Sequence, residues 1–391
     1  AQSSSRSMER SSLTPSRSLI EQNTATGPVT SDWQGLWDAT QSLGRWITAR
    51  ERRATMVWLV LLLILGLGAW LRFTGLDWDE GQHLHPDERF LTMVENSLWW
   101  PASLGEYLDT GINPLNPYNT PHGMYVYGLF PLVLAKFLGQ VTGFVGYGGV
   151  YLVGRAMSGG MDLISVLLVF LIGRRLYDER VGLAGAFCLA VTGLSIQQSH
   201  FFTVDTTTTM FLTLSLYMAI RVAQGEGWGS VLGLGVAFGF AVSVKISALT
   251  FGLVIAAAFL VRMVKEAQED AAARLMTWGR VGGLRLSLQV DAGDDQARSF
   301  VPWVSQIGWA LVAGLVVLLS AFLIFRLVQP QAFMGPGLLG LRINPRWADD
   351  MAYIKRLVSG EIDYPPSHQW TARPPVWYML KTLVLRGPGL P

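Results

Sequence analysis

The chain has 391 residues, half of them hydrophobic and 15% charged, where soluble domains carry about a quarter charged; an ordinary water-soluble globule is excluded and an all-α polytopic membrane protein is indicated. A formal net charge of +2 gives no nucleic-acid surface, because the basic residues lie between apolar runs rather than along one stripe. The single cysteine, Cys188, rules out an intrachain disulfide, and fifteen tryptophans suit the two interfaces of a bilayer.

Residues 1–30, rich in Ser, Thr and Arg, predict a disordered cytoplasmic tail. Over 31–55 the pattern predicts an amphipathic helix on the membrane surface. Ser31 or Asp32 caps it, Trp33, Leu36, Trp37, Leu43, Trp46 and Ile47 share one face, and Arg45, Arg50, Arg52 and Arg53 form a basic collar. A packed soluble helix is the alternative. The first span is expected at 56–73, with the arginines before it placing the N-terminus in the cytoplasm. Residues 74–152 then form a large first external loop. Within it the apolar stretch 123–139, interrupted by Gly128, Pro131 and Lys136, is expected to lie flat on the outer surface.

Further spans are expected at 153–172, 181–196, 205–220, 231–244, 246–261 and 303–325, about seven in all, with a cytoplasmic loop at 262–301. Residues 327–391 make an external segment, expected to be incomplete, so that the chain reads as a fragment of a longer protein. The short inner loops hold Arg174, Arg175 and Arg180, as the positive-inside bias requires. All five histidines (His83, His85, His122, His200, His368) fall outside with the acidic residues.

Chemistry concentrates in Asp77–Phe90, D-W-D-E-G-Q-H-L-H-P-D-E-R-F, with five carboxylates, two histidines and an arginine in fourteen residues. Asp87 and Glu88 are adjacent and cannot share one helix face, so they are expected to have different partners. A carboxylate at a low-dielectric boundary suits general-base work on a hydroxyl; the alternative is a solvated acidic loop. Arg155, Asp205 and Lys245 sit in or at the ends of apolar runs, where charge is costly and marks function or snorkelling. Arg155 and Lys245 are candidates for an anionic phosphate. His83, His85, Asp87 and Glu88 mix metal-ligand types, but no H-E-x-x-H spacing occurs. The expectation is hydrogen bonding to substrate, with no cofactor; a bound divalent cation is the alternative. No nucleotide-binding loop or serine elbow is present.

These features resemble the GT-C superfamily of membrane glycosyltransferases, in its protein O-mannosyltransferase and lipid A aminoarabinose transferase branch. The likeness is carried by His85-Pro86-Asp87-Glu88-Arg89-Phe90, by Gly154-Arg155-Ala156-Met157-Ser158 and Gly173-Arg174-Arg175-Leu176-Tyr177, and by Ser199-His200-Phe201-Phe202-Thr203-Val204-Asp205 and Ala241-Val242-Ser243-Val244-Lys245. Where that branch has E-K-P-P, this chain has Asn119-Thr120-Pro121-His122-Gly123.

The resemblance implies a GT-C-like transmembrane domain over 56–326. It also implies inverting transfer of a sugar from a polyprenyl-phosphate donor to an acceptor hydroxyl on a protein or lipid, at the external face of the plasma membrane. Asp87 would be the base, Glu88 and Arg89 would orient the site, and Lys245 and Arg155 would hold the donor phosphate. His85, His122, His200 and Asp205 would line the substrate pocket. The competing class is a non-catalytic membrane subunit held among partner subunits or, with no internal repeats to support it, a transporter.

Overall fold

The computed structural model describes residues 30–279, 295–335, 337–370 and 372–387. The expected tail and the centre of the 262–301 loop lie outside the described residues. The chain divides into two units, Ala1–Trp58 and Leu59–Pro391. In the first, the described residues begin helix α1 (Thr30–Phe73), which also holds the first residues of the second. The helix expected at 31–55 and the span expected at 56–73 thus fall within one element.

The large unit continues with the short helices α2 (Pro86–Asn96), α3 (Leu104–Leu108) and α4 (Leu129–Thr142). There follow α5 (Val150–Leu176), α6 (Glu179–Ala190), α7 (Gly193–Ser199), α8 (Asp205–Ala223), α9 (Trp228–Val244), α10 (Gly252–Gly279) and α11 (Asp295–Val328). Beyond α11, β1 (Phe333–Met334) pairs antiparallel with β2 (Arg342–Ile343), Phe333 opposite Ile343, ahead of α12 (Pro345–Ser359) and α13 (Pro375–Arg386).

Among the described residues, four helices are long and apolar enough to cross a membrane: Glu51–Phe73, Val150–Leu176, Ile246–Gln268 and Gln306–Val328. A fifth arises if α6 and α7, bent by 58° at their break, count as one. An integral membrane protein follows, but the seven spans expected from sequence are not reached. The reasons are local. The α8 helix opens on four successive threonines after Asp205, which lower its apolarity, and α9 is only 17 residues long. The apolar stretch 123–139, not counted among the seven, contributes α4 from Leu129, an apolar helix too short to span.

Close approach of the long helices depends on small residues, the packing available where lipid removes the hydrophobic drive between helices. A Cβ on Gly235 or Gly239 of α9 would press on Val317 and Ala321 of α11. One on Gly173 of α5 would stand 2.8 Å from Gly182 Cα of α6. A buried ion pair joins α1 to α5, Arg72 Nε to Asp162 Oδ2 at 2.6 Å, and Ser195 Oγ donates to the same carboxylate. Arg72 also donates to the Ala190 and Leu189 carbonyls, which satisfies the helix end where α6 breaks into α7.

The short helices form a layer at the ends of α5, α8 and α9 with its own apolar contacts. Leu91 and Val94 of α2 and Leu129, Leu132 and Ala135 of α4 are fully buried, and each large side chain so buried contributes about 1.5–3 kcal/mol. This layer sets the site.

Candidate active site

The H-P-D-E motif is, physically, a helix start. Pro86 occupies the first turn of α2, where its missing N–H costs nothing. His85 is the N-cap, its Nδ1 accepting from the Glu88 N–H at 3.4 Å, and Asp87 and Glu88 face the positive end of the helix dipole. The His85 ring also packs on Phe201 at 4.4 Å. Consecutive positions near 100° apart send the two carboxylates in different directions.

Glu88 points inward and is fully buried, as is Arg155 of α5. Arg155 Nε donates to Glu88 Oε2 at 2.9 Å and Nη2 to Oε1 at 2.6 Å. Nη2 also reaches Asp79 Oδ1 at 2.8 Å, and Nη1 donates to the Leu76 carbonyl at 2.6 Å. The Phe202 N–H donates to Glu88 Oε2 at 2.8 Å, and Trp78 and Tyr151 lie against the guanidinium at 5.2 and 4.8 Å. Burial raises the Asp79 pKa, but the Leu84 N–H and Arg155 outweigh it and hold the carboxyl below its ordinary value. The loop between Phe73 and His85 is wound around this guanidinium, with Glu80 and His83 at φ of +49°, a conformation that ordinary residues seldom adopt. Sequence reasoning set Arg155 on a donor phosphate; its three nitrogens instead engage groups of the chain itself.

Asp87 points the other way. It is half-buried, in the first turn of α2. Burial first, then the negative charge of Asp87, with Asp205 and Tyr364 adding to it, push the Tyr127 hydroxyl well above the ordinary tyrosine pKa. The Gly128 N–H donates to the Val244 carbonyl at 2.9 Å, which brings the segment of Tyr127 up to the end of α9. Asp205 opens α8, and Lys245 follows the last residue of α9. Lys245 Nζ meets Asp205 Oδ1 at 2.6 Å, with the two side chains 39% and 44% exposed, so two N–H groups of the ammonium remain open to a ligand.

The other residues expected to line the pocket have mainly connecting contacts. Arg89 is exposed and its Nε donates to the His83 carbonyl at 3.1 Å. The ring nitrogens of His200 lie 2.8 Å from the Ile196 carbonyl and 3.0 Å from that of Thr74, while its own carbonyl accepts from Trp78 Nε1. His122 Nε2 is 2.8 Å from Ser97 Oγ. Among the described residues, no group of three or more His, Cys, Asp or Glu side chains is placed to hold a metal ion.

An apolar groove of about 350 Å³ adjoins Lys245, beginning at Ile246 and walled by Val242, Leu249, Phe322, Phe325 and Trp347. Sequence reasoning missed this groove, Tyr127 and Asp79. The groove draws on α9, α11 and α12, and only the Tyr125-x-Tyr127 repeat could have drawn attention to the tyrosine.

Residues 133–277 match the family described as dolichyl-phosphate-mannose-protein mannosyltransferase. This bears out the resemblance to the GT-C superfamily of membrane glycosyltransferases. Arg155, His200, Asp205 and Lys245 lie inside the matched stretch, and Asp87, Glu88 and Tyr127 precede it. No curated protein matches the chain. Among solved structures, it is similar to the Saccharomyces cerevisiae protein O-mannosyltransferase Pmt1–Pmt2 complex bound to the sugar donor. The identity is 17% and the TM-score 0.43, over 72% of this chain and 35% of that one. The Archaeoglobus fulgidus oligosaccharyltransferase in the apo form is 15% identical with a TM-score of 0.44, over 84% of this chain and 36% of that one. The chain thus spans about a third of the length of these two solved structures.

Proposed function

We propose that the chain is the membrane-embedded part of a glycosyltransferase that moves a sugar from a polyprenyl-phosphate donor to an acceptor hydroxyl at the external face. The observation that carries the reading is the Asp205–Lys245 pair beside an apolar groove, with the first turn of α2, which bears Asp87, tied through Glu88 to the Phe202 N–H three residues ahead of Asp205. A base, a cation for a phosphate and an apolar channel for a long chain are what such a donor requires.

In this reading Asp87 takes the proton of the acceptor hydroxyl as its oxygen attacks the anomeric carbon. The carbon–oxygen bond to the phosphate breaks on the opposite face, and the lipid phosphate leaves with the electron pair. Lys245 stabilises the charge that develops on it, and a preorganised charge of this kind lowers the barrier more than any other device the site has. Asp205 holds the ammonium in place. Arg155 acts on Glu88, and the pair fixes the first turn of α2 and hence the direction of Asp87. The scheme calls for no divalent metal.

Asp87→Asn tests it. Transfer is expected to fall by at least about 100-fold, the usual scale of a lost general base, with donor affinity retained. Near wild-type transfer in this variant rules out the assignment. A purely structural subunit, the other reading kept open, would show neither donor binding nor transfer.

A further inference from the structure

The β1–β2 hairpin follows the last long helix and carries an apolar tip. Residues 337–341 read G-L-L-G-L, without a charged or hydrogen-bonding side chain. Leu339 is 87% exposed, and Leu338 and Leu341 are exposed as well. The base of the hairpin is fixed. The Asn344 N–H donates to the Ala332 carbonyl at 2.9 Å, its Nδ2 donates to the Gln331 carbonyl at 2.8 Å, and Thr110 Oγ1 donates to the Phe333 carbonyl. Phe333 packs edge-on against Phe322 and Phe325 of α11, with ring centres 5.9 Å apart in each case. The turn itself is tight. Gly337 has a φ of +72°, and a Cβ on Gly340 would stand 2.7 Å from the Gly335 carbonyl oxygen.

Arg326 sets the height of this tip. It lies in the last turn of α11, inside the membrane-crossing stretch Gln306–Val328, and is buried. Its Nε donates to the Leu338 carbonyl at 3.2 Å and its Nη2 to the Gly337 carbonyl at 2.6 Å. The tip is thereby held level with the end of a span, where hydrocarbon gives way to head groups. A loop entering that layer needs its carbonyls satisfied from within the protein, and the guanidinium does this for two of them. The exposed apolar face of α11, with Leu318, Leu319, Phe322 and Leu323, meets the hairpin where Phe322 packs on Phe333. Arg342, exposed at the foot of the tip, is long enough to set its charge among head groups while its stem stays on apolar surface.

We propose that residues 337–341 insert into the bilayer and anchor the segment beyond α11 at the level of the lipid head groups. The partner is the lipid surface itself, at the boundary of head groups and acyl chains. Phe333 and Ile343, the paired residues at the foot of the tip, also line the apolar groove beside Lys245, so the anchor fixes that wall of the groove against the membrane. This holds whatever reaction the site performs.

Spin labelling of the full chain tests it. Cys188→Ser removes its one thiol, and Leu339→Cys then places a nitroxide on the tip, at a side chain exposed enough for its replacement to leave the packing intact. Leu315→Cys, on the exposed face of α11 within the span, is the reference for lipid. In vesicles of phosphatidylcholine and phosphatidylglycerol, collisions with oxygen, which concentrates in hydrocarbon, are compared with collisions with a water-soluble nickel chelate. The label at 339 is expected to favour oxygen several-fold, though less strongly than the label at 315. A preference for nickel places the tip in water and overturns the proposal. Shielding from both reagents means that protein covers the tip, a second copy or another chain, and overturns it equally.

Discussion

Arg155 and Glu88 stand 67 residues apart in sequence and meet in a two-pronged contact, Nε to Oε2 at 2.9 Å and Nη2 to Oε1 at 2.6 Å, both side chains fully buried. The contact separates two neighbouring carboxylates by function. With Glu88 drawn into α5, Asp87 at the preceding position of the same turn is left half-buried and free of the arginine.

Removing the cation leaves Glu88 and Asp79 buried without a counter-charge, a loss of about 3–5 kcal/mol for a broken buried pair. Arg155→Leu is expected to yield little folded protein. Arg155→Lys is expected to be clearly destabilised too, since a single ammonium cannot reproduce the fork that reaches Glu88, Asp79 and the Leu76 carbonyl together. Thermal unfolding in detergent reads both; an unfolding temperature close to wild type in Arg155→Lys contradicts the anchoring role.

Gly154, one residue before Arg155, faces Phe202, and a Cβ there would stand inside the ring contact. The Phe202 N–H is a Glu88 ligand. Gly154→Ala is therefore expected to cost about 1–3 kcal/mol of overpacking and to weaken transfer as well. Activity and unfolding temperature measured on the same preparation show whether the two losses travel together.

Glu95 gives a pH dependence. Its carboxyl is buried with Oε2 unpartnered, and Lys136 is 3.5 Å from Oε1. Burial raises its pKa, and the lysine offsets this only in part. The folded state then binds a proton more tightly than the unfolded one, so stability is full below the ordinary glutamate value and is lost as pH rises through the raised one. Glu95→Gln is expected to flatten this slope and to raise the unfolding temperature at neutral pH by a few degrees. Parallel pH profiles for the two proteins contradict it.

The apolar groove predicts a dependence on chain length. Leu249→Gln places an amide among its apolar walls, which is unfavourable for a hydrocarbon. Affinity for a long-chain donor is expected to drop several-fold, with a short-chain analogue affected less. Equal losses for both would detach the groove from the donor.

The sequence made the dense Asp77–Phe90 stretch visible, and the rule that adjacent positions face differently anticipated the divergence of Asp87 and Glu88. Partners were not legible. Arg155 with Glu88, Lys245 with Asp205, and Asp350 with Tyr118 join residues 67, 40 and 232 positions apart, beyond any local pattern. A cation near an anion-binding site looks the same in sequence whether it meets a phosphate or a neighbouring carboxylate, and for Arg155 the interior of the fold made that choice. Seven spans are not confirmed, because an apolar run such as 231–244 carries no mark of the length of its helix, which α9 limits to 17 residues.

The most direct measurement is binding of a polyprenyl-phosphate sugar to the purified full-length protein, beside Lys245→Ala and Asp87→Asn. The account predicts that wild type and Asp87→Asn bind with similar affinity, that Lys245→Ala loses at least about ten-fold, in the range of a charge-assisted hydrogen bond, and that only the wild type transfers the sugar. Binding unaffected by Lys245→Ala, or absent from the wild type, would contradict it.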